Sequence, residues 1–272
     1  MIQADSQEHQ RLSPDEINDF RKKGYLIYDR PVLPQAKFDA LKKHFEKLLA
    51  DLPADIRPES MDVPHFLDPE LFQWLFADEV LDLIEPILGP DIALFSSHFI
   101  CKPRGDGRRV PWHSDAYYWT GMLDPMEVVT VWLAIDPATP ANGCMYVFPE
   151  SHDGKRRDYV DVDPIANVFP TEIRQDLLDE SRAVPCILHS NQASLHDGRL
   201  LHGSPPNTSD LRRCGYTMRY MKSSTRFNPE FSEGHAVFLA RGKDYCVNQF
   251  ADPTKAHPEL LSWRHKRWKK GH

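Results

Sequence analysis

Trp112-His113-Ser114-Asp115 is the stretch that decides how this chain is read. In an extended strand successive side chains point to opposite faces, so His113 and Asp115 fall together and Ser114 looks away. Two groups able to hold a metal then come from one rigid element. This is the sole His-x-Asp of the chain. A third ligand has to arrive from a distant strand. His202 lies in Leu200-Leu201-His202-Gly203-Ser204-Pro205-Pro206-Asn207, an apolar stretch that ends in a Gly/Pro/Asn turn. His189 and His196 are its nearest competitors, and the residues after His202 decide in its favour. His44-Phe45-Glu46 offers another i, i+2 pair, but in a helical pattern, where residues two apart do not face each other.

Two imidazoles and one carboxylate on one face of a metal leave the opposite face open. Non-haem Fe(II) oxygenases use this arrangement, because they need free coordination positions for a co-substrate and for O2. After His202 a polar turn, Asn207-Thr208-Ser209-Asp210-Leu211-Arg212, leads into the strand-like Arg213-Cys214-Gly215-Tyr216-Thr217-Met218-Arg219-Tyr220-Met221. The arrangement resembles the phytanoyl-CoA dioxygenase family of Fe(II)/2-oxoglutarate-dependent oxygenases, where a serine and an arginine come after the distal histidine at the offsets held here by Ser204 and Arg213. The resemblance continues in Lys102-Pro103, in Val131-Trp132-Leu133, and in Asn142-Gly143-Cys144-Met145-Tyr146-Val147-Phe148-Pro149-Glu150-Ser151-His152. It covers most of residues 12 to 222.

That resemblance implies a mainly β fold with flanking helices, the cupin-like double-stranded β-helix or jelly roll. It implies Fe(II) on His113, Asp115 and His202, with 2-oxoglutarate chelating the metal through its keto oxygen and C1 carboxylate. The far carboxylate then needs a cation. Arg213 suits it, since a guanidinium meets a carboxylate in a planar two-pronged geometry, and Ser204 adds a hydroxyl donor. Arg212 and Arg219 are the alternatives; if residues 213 to 219 form a regular strand, Arg213 and Arg219 share a face and Arg212 looks the other way, and the offset from His202 favours Arg213. Trp132 matches a tryptophan lining the co-substrate pocket, and His98 falls on a strand supplying further co-substrate contacts.

The reaction implied consumes O2, releases succinate and CO2, and hydroxylates an unactivated C–H bond of a small-molecule substrate. Asp115 favours hydroxylation over halogenation, because related halogenases carry a small residue in place of the carboxylate. Tyr117-Tyr118-Trp119 would present aromatic surface beside the open coordination site, suiting an apolar body or a quaternary ammonium; the alternative is that these rings pack in the sheet. Two other classes stay open: a metal-dependent hydrolase or isomerase, which has no use for Arg213 and Ser204, and a silent small-molecule-binding protein, which needs no intact triad.

The rest of the chain is consistent with one domain over residues 1–272. Candidate strands fall at 92–102, 128–135, 143–148, 184–189, 192–197 and 214–221, most rich in β-branched and aromatic residues. Helices are expected from the capping signal Ser13-Pro14-Asp15-Glu16 to Gly24, from about Pro34 to Leu49, and from about Pro69 to Leu88. These N-terminal helices (about 13–90) would buttress a jelly-roll core (about 91–222), followed by an extension over 223–272. Residues 151–183 read as a long insertion between strands, a candidate lid.

At 272 residues and 41% hydrophobic the chain can close one sizeable core. No apolar run is long enough to cross a membrane, and Met1-Ile2-Gln3-Ala4-Asp5 lacks a secretory pattern. Five cysteines, an odd number, point to a reducing interior, and the cytoplasm is expected. A net charge of −7 argues against general nucleic-acid binding. The basic run Arg264-His265-Lys266-Arg267-Trp268-Lys269-Lys270 is either a solvated tail or a local polyanion contact.

Overall fold

Helix α1 (Pro14–Lys23) begins where its capping box predicts: Ser13 Oγ accepts from the Glu16 N–H, and Glu16 accepts from the Ser13 N–H. Gly24 ends it at φ 81°, a left-handed turn that favours glycine. The computed structural model describes residues 11–228, 230 and 234–261. Strand β1 (Tyr25–Tyr28), helix α2 (Gln35–Ala50) and the short strand β2 (Met61–Asp62) come next.

The single helix expected over 69–88 is broken. A 3-10 turn at Pro69–Leu71 runs into helix α3 (Phe72–Leu75), and helix α4 (Asp78–Leu88) starts afresh after the extended Ala77. The apolar stripe explains the break. At about 100° per residue, Leu71 and Leu75 would lie opposite Val80 and Ile84 on one continuous rod, yet all four are fully buried. Restarting the helix turns both sets inward, and Asp78 and Glu79 suit a new helix N-terminus.

The remaining elements are β3 (Ile92–Lys102), β4 (Val110–His113), α5 (Asp115–Tyr118), β5 (Leu123–Asp124), β6 (Val128–Ala134), β7 (Tyr146–Val147), β8 (Tyr159–Asp161), β9 (Thr171–Ile173), β10 (Val184–Pro185), β11 (Ala193–Asp197), β12 (His202–Ser204), β13 (Arg213–Lys222), β14 (Arg226–Phe227) and β15 (Phe238–Arg241). One antiparallel sheet runs β1-β11-β6-β13-β3-β15, with β2 also on β3; a second runs β10-β7-β12-β4. This is the expected jelly roll. The expected strands at 143–148 and 184–189 shrink to β7 and β10, since Gly143 turns away at φ 74° and Pro185 has no N–H to extend a ladder. Part of the C-terminal extension adds β15 to the edge of the main sheet. The basic run at 264–270 lies outside the described residues. Among the described residues no helix is long and apolar enough to cross a membrane.

The main sheet sorts its residues by parity. Val129, Val131 and Leu133 of β6, Ala193 and Leu195 of β11, and Cys214, Tyr216, Met218 and Tyr220 of β13 pack into one core with Leu41, Phe45, Leu71, Leu75 and Ile84 of the N-terminal region. The helices therefore cover that face, as expected. The alternate residues Trp132, His196, Arg213, Thr217 and Arg219 turn to the inside, where they line a cavity facing the second sheet. On β3 a register shift falls where Arg219 pairs with Ser96 and Tyr220 with Leu94. This bulge switches the helix-facing residues from Ile92 and Leu94 to Phe99 and Cys101. It is what turns Ile100 into the cavity.

Gly215 is required by this inner face. A Cβ there would run into the Trp132 indole. Gly215→Ala is expected to lower stability by about 1–3 kcal/mol through overpacking, read as a lower urea midpoint, and to push Trp132 into the cavity.

Candidate active site

His113 ends β4 and His202 opens β12, and the two are direct partners across the ladder, with ring centroids 4.2 Å apart. Asp115 reaches them by a different route from the one expected. Ser114 is still extended (φ −112°, ψ 140°), but Asp115 starts helix α5 and is delivered by a helical first turn, not by strand alternation. The cluster forms all the same: one ligand atom from each residue lies within 4.8 Å of the others, and all three are buried. His113 Nε2 is 3.6 Å and His202 Nε2 4.0 Å from Asp115 Oδ1.

The histidines are oriented for a metal. His113 Nδ1 donates to the Pro111 carbonyl at 2.8 Å, and His202 Nδ1 to the Leu200 carbonyl at 3.0 Å. A carbonyl can only accept, so each Nδ1 carries the proton and each Nε2 offers a lone pair to the cluster. Burial, followed by the neighbouring His113, holds His202 well below its ordinary value and so keeps it neutral. Burial alone would raise the Asp115 carboxyl, but the Arg219 guanidinium holds it well below the usual carboxylate range. Arg219 Nε donates to Asp115 Oδ2 at 3.3 Å. Two imidazoles with Nε2 turned to the cluster and one carboxylate, opening onto a cavity, fit a divalent first-row metal, Fe(II) in particular.

His196, the competing distal histidine, lies beside the cluster with Nε2 4.0 Å from Asp115 Oδ2. Burial pulls it down to about 4 from 6.5. A histidine depressed in the folded state contributes stability that is full above 6.5 and is lost as pH falls towards 4. For metal-free protein the loss through His196 is expected to reach about 3 kcal/mol. Urea unfolding of His196→Gln across that pH window should show a correspondingly flatter profile than wild type. His189 is exposed and takes no part.

The cavity runs from the cluster to a cationic end. Its space, counted together with the solvent at its mouth, is about 410 Å³. Arg213, 2% exposed, donates from Nε and Nη2 to the Gly143 carbonyl and from Nη2 to Ser204 Oγ. Nη1 has no hydrogen-bond partner among the described residues. Burial lowers Arg213 to about 10, so it stays charged at neutral pH. Arg212 looks the other way, onto Glu46 and Asp136, as strand alternation predicts.

Lys102, fully buried, enters the sequence pattern only as part of a motif. Its Nζ donates to Ser204 Oγ at 2.7 Å and to the Pro205 carbonyl. Burial and the nearby Arg213 hold this ammonium well below its ordinary value. Ser204 Oγ accepts from Lys102 and Arg213 together, so its own proton is left for an acceptor in the cavity. The signal for Lys102 was its place on the inner parity of β3, hidden by the bulge upstream.

The other expected residues divide. Trp132 lines the cavity beneath Arg213, whose guanidinium carbon is 5.4 Å from its ring. His98 is not among the lining residues, and its Nε2 donates to the Glu59 carbonyl at 2.8 Å. Tyr118 packs on His113 and Phe169. Tyr117 stacks on Tyr159, and Trp119 lies against Phe95 and under Arg219. None of the three lines the cavity itself. Phe169, of the 151–183 insertion, does line it, with its ring 4.9 Å from that of His113. Tyr159 accepts from the Ser114 N–H, Tyr118 bonds Thr171, and Glu172 accepts from the Trp112 N–H. The insertion is thus tied to the segment that carries His113 and Asp115.

Comparisons with known proteins bear on the family and the fold. The sequence model of the family "Phytanoyl-CoA dioxygenase (PhyH)" matches residues 20–215. The chain is 35% identical over 156 residues to phytanoyl-CoA dioxygenase domain-containing protein 1 of Danio rerio, covering 55% of this chain and 50% of that protein. It is 28% identical over 152 residues to a probable alpha-ketoglutarate-dependent hypophosphite dioxygenase of Stutzerimonas stutzeri, covering 55% and 52%. The chain thus spans about half the length of these two relatives. In fold it is similar to the apo structure of the non-heme monooxygenase ThoJ, with a TM-score of 0.71 and 24% identity over 94% of this chain and 97% of that one.

Proposed function

The chain belongs to the phytanoyl-CoA dioxygenase family, and from that premise we propose that it is a non-haem Fe(II)- and 2-oxoglutarate-dependent oxygenase that hydroxylates an unactivated C–H bond of a small molecule. One observation carries the reading: a buried two-histidine, one-carboxylate cluster and a buried arginine with no carboxylate partner among the described residues open into the same cavity.

His113, Asp115 and His202 would hold Fe(II). Bound there with 2-oxoglutarate and O2, the metal would supply the oxidising power for C–H cleavage as the keto acid is converted to succinate and CO2. The side chains divide the remaining work. Arg213 and the Ser204 hydroxyl bind the far carboxylate of the keto acid, with Lys102 behind them holding Ser204 in its donor orientation. Trp132 walls that compartment. Arg219 grips one oxygen of Asp115 and leaves Oδ1 turned to the histidines. Phe169 and the strands of the insertion cover the cluster and limit access of water. The retained carboxylate at Asp115 favours oxygen transfer over halide transfer. An odd set of five cysteines suits a reducing compartment, the cytoplasm in the simplest reading.

The test begins with thermal shifts of Mn(II)- and 2-oxoglutarate-loaded protein against a metabolite library, since a ligand of the folded state raises its melting point by mass action. Hits are then incubated with Fe(II), 2-oxoglutarate and ¹⁸O₂. A product carrying one ¹⁸O atom, with succinate formed, is expected. A product hydrolysed or isomerised without gain of that atom would place the protein among the metallohydrolases or isomerases instead.

A further inference from the structure

Arg219 holds more charge than its surroundings cancel. It is 7% exposed, lies on the inner face of β13, and lines the cavity beside Asp115 and His196. Of its five N–H donors, the one on Nε meets Asp115. Its two terminal nitrogens have no hydrogen-bond partner among the described residues, and neither is among the sealed, unpartnered atoms of the interior. The Trp119 ring lies 5.5 Å from the guanidinium carbon and backs it on one side.

Charge points the same way. The cavity is lined by one carboxylate, Asp115, and two guanidiniums, Arg213 and Arg219. A dication at the histidines would bring the excess to three positive charges, without Lys102. A dianionic keto acid cancels two of them. A buried charge left uncompensated is costly, so the site is completed by one more anion. Position separates the two arginines: six residues of strand put their Cα atoms about 20 Å apart. The guanidinium suited to the far carboxylate of the keto acid is therefore not the one beside Asp115.

We propose that Arg219 binds an anionic group of the primary substrate, a carboxylate or a phosphorus oxyanion, through its two terminal nitrogens. The inference rests on the functional reading above and narrows its substrate class. A carboxylate or phosphonate matches the planar fork of a guanidinium in two parallel hydrogen bonds. The competing source of the same chemistry is the C1 carboxylate of 2-oxoglutarate itself.

The test uses Mn(II)-loaded protein, with and without 2-oxoglutarate, and small probes in matched pairs: acetate against acetamide and benzoate against benzamide, with methylphosphonate as a further anion. Binding near the metal is read from the relaxation that Mn(II) induces in probe protons. Wild type is expected to hold each acid about tenfold or more tighter than its amide, an advantage that collapses to below about twofold in Arg219→Gln. Arg219→Lys keeps a cation beside Asp115 in case the glutamine variant fails to fold, and should fall between the two. Equal binding of acid and amide by wild type, or an advantage undiminished in both variants, overturns the proposal. So does an Arg219→Gln variant that loses more than about tenfold in 2-oxoglutarate affinity while keeping its acid preference, because the guanidinium then serves the co-substrate. If wild type does not bind 2-oxoglutarate at all, the functional reading fails, and the acid and amide comparison in Mn(II) alone still decides the role of Arg219.

Discussion

His113→Ala is expected to release no succinate above the metal-free background when iron-loaded anaerobically and then exposed to air with 2-oxoglutarate. His113 supplies one of the two imidazole lone pairs of the cluster, and the Pro111 carbonyl fixes its tautomer. Losing a residue that merely orients a metal ligand costs about 10–100-fold in metal affinity or activity, so losing the ligand itself should cost more than about a hundredfold. The variant should fold, because the ring is replaced by a smaller side chain in a region also held by the insertion. Circular dichroism and equilibrium dialysis with Mn(II) check the two halves of this expectation: unchanged secondary structure, and metal binding reduced by that factor. Wild-type metal affinity in the variant would remove His113 from the centre.

Arg213→Ala should act on the co-substrate rather than the metal. Nε and Nη2 are held by Gly143 and Ser204, so Nη1 is the nitrogen left for the keto acid. A hydrogen bond from a charged donor contributes about 1.5–3 kcal/mol, so its loss should raise the 2-oxoglutarate KM by about 10–10²-fold. Arg213→Lys keeps the charge and should lose less. Metal affinity in the absence of keto acid should stay near wild type. The substitution also leaves the Gly143 carbonyl without its two donors, so a modest loss of stability accompanies the kinetic effect. Steady-state succinate release against 2-oxoglutarate concentration reads the result; an unchanged KM would assign Arg213 to packing.

Much of this centre was legible in the chain because strand alternation carries it. Arg213 and Arg219 share a face and Arg212 turns away, as two-residue periodicity dictates. The long strand over 92–102 is read to the residue at both ends. What escaped depends on departures from regular geometry. The helix over 69–88 breaks because its apolar residues would otherwise lie on opposite sides, a conflict visible only when the stripe is plotted by angle. Asp115 arrives on a helical turn, since nothing in His-Ser-Asp distinguishes a strand from a strand end. Lys102 and His98 share the inner parity of β3, yet Lys102 reaches Ser204 while His98 turns to the Glu59 carbonyl. Side-chain reach, rather than periodicity, separates them. Phe169 was hidden because it sits in an insertion of weak pattern whose position over His113 is set by contacts distant in sequence.

The most direct test of a shared cavity is whether metal and keto acid bind as one unit. Calorimetric titration of 2-oxoglutarate into metal-free and Mn(II)-loaded wild type and Arg213→Ala should give at least about tenfold tighter binding with metal, and weaker binding on loss of the guanidinium in either state. An affinity indifferent to both the ion and Arg213 would mean that the cluster and the cationic pocket do not serve a common ligand.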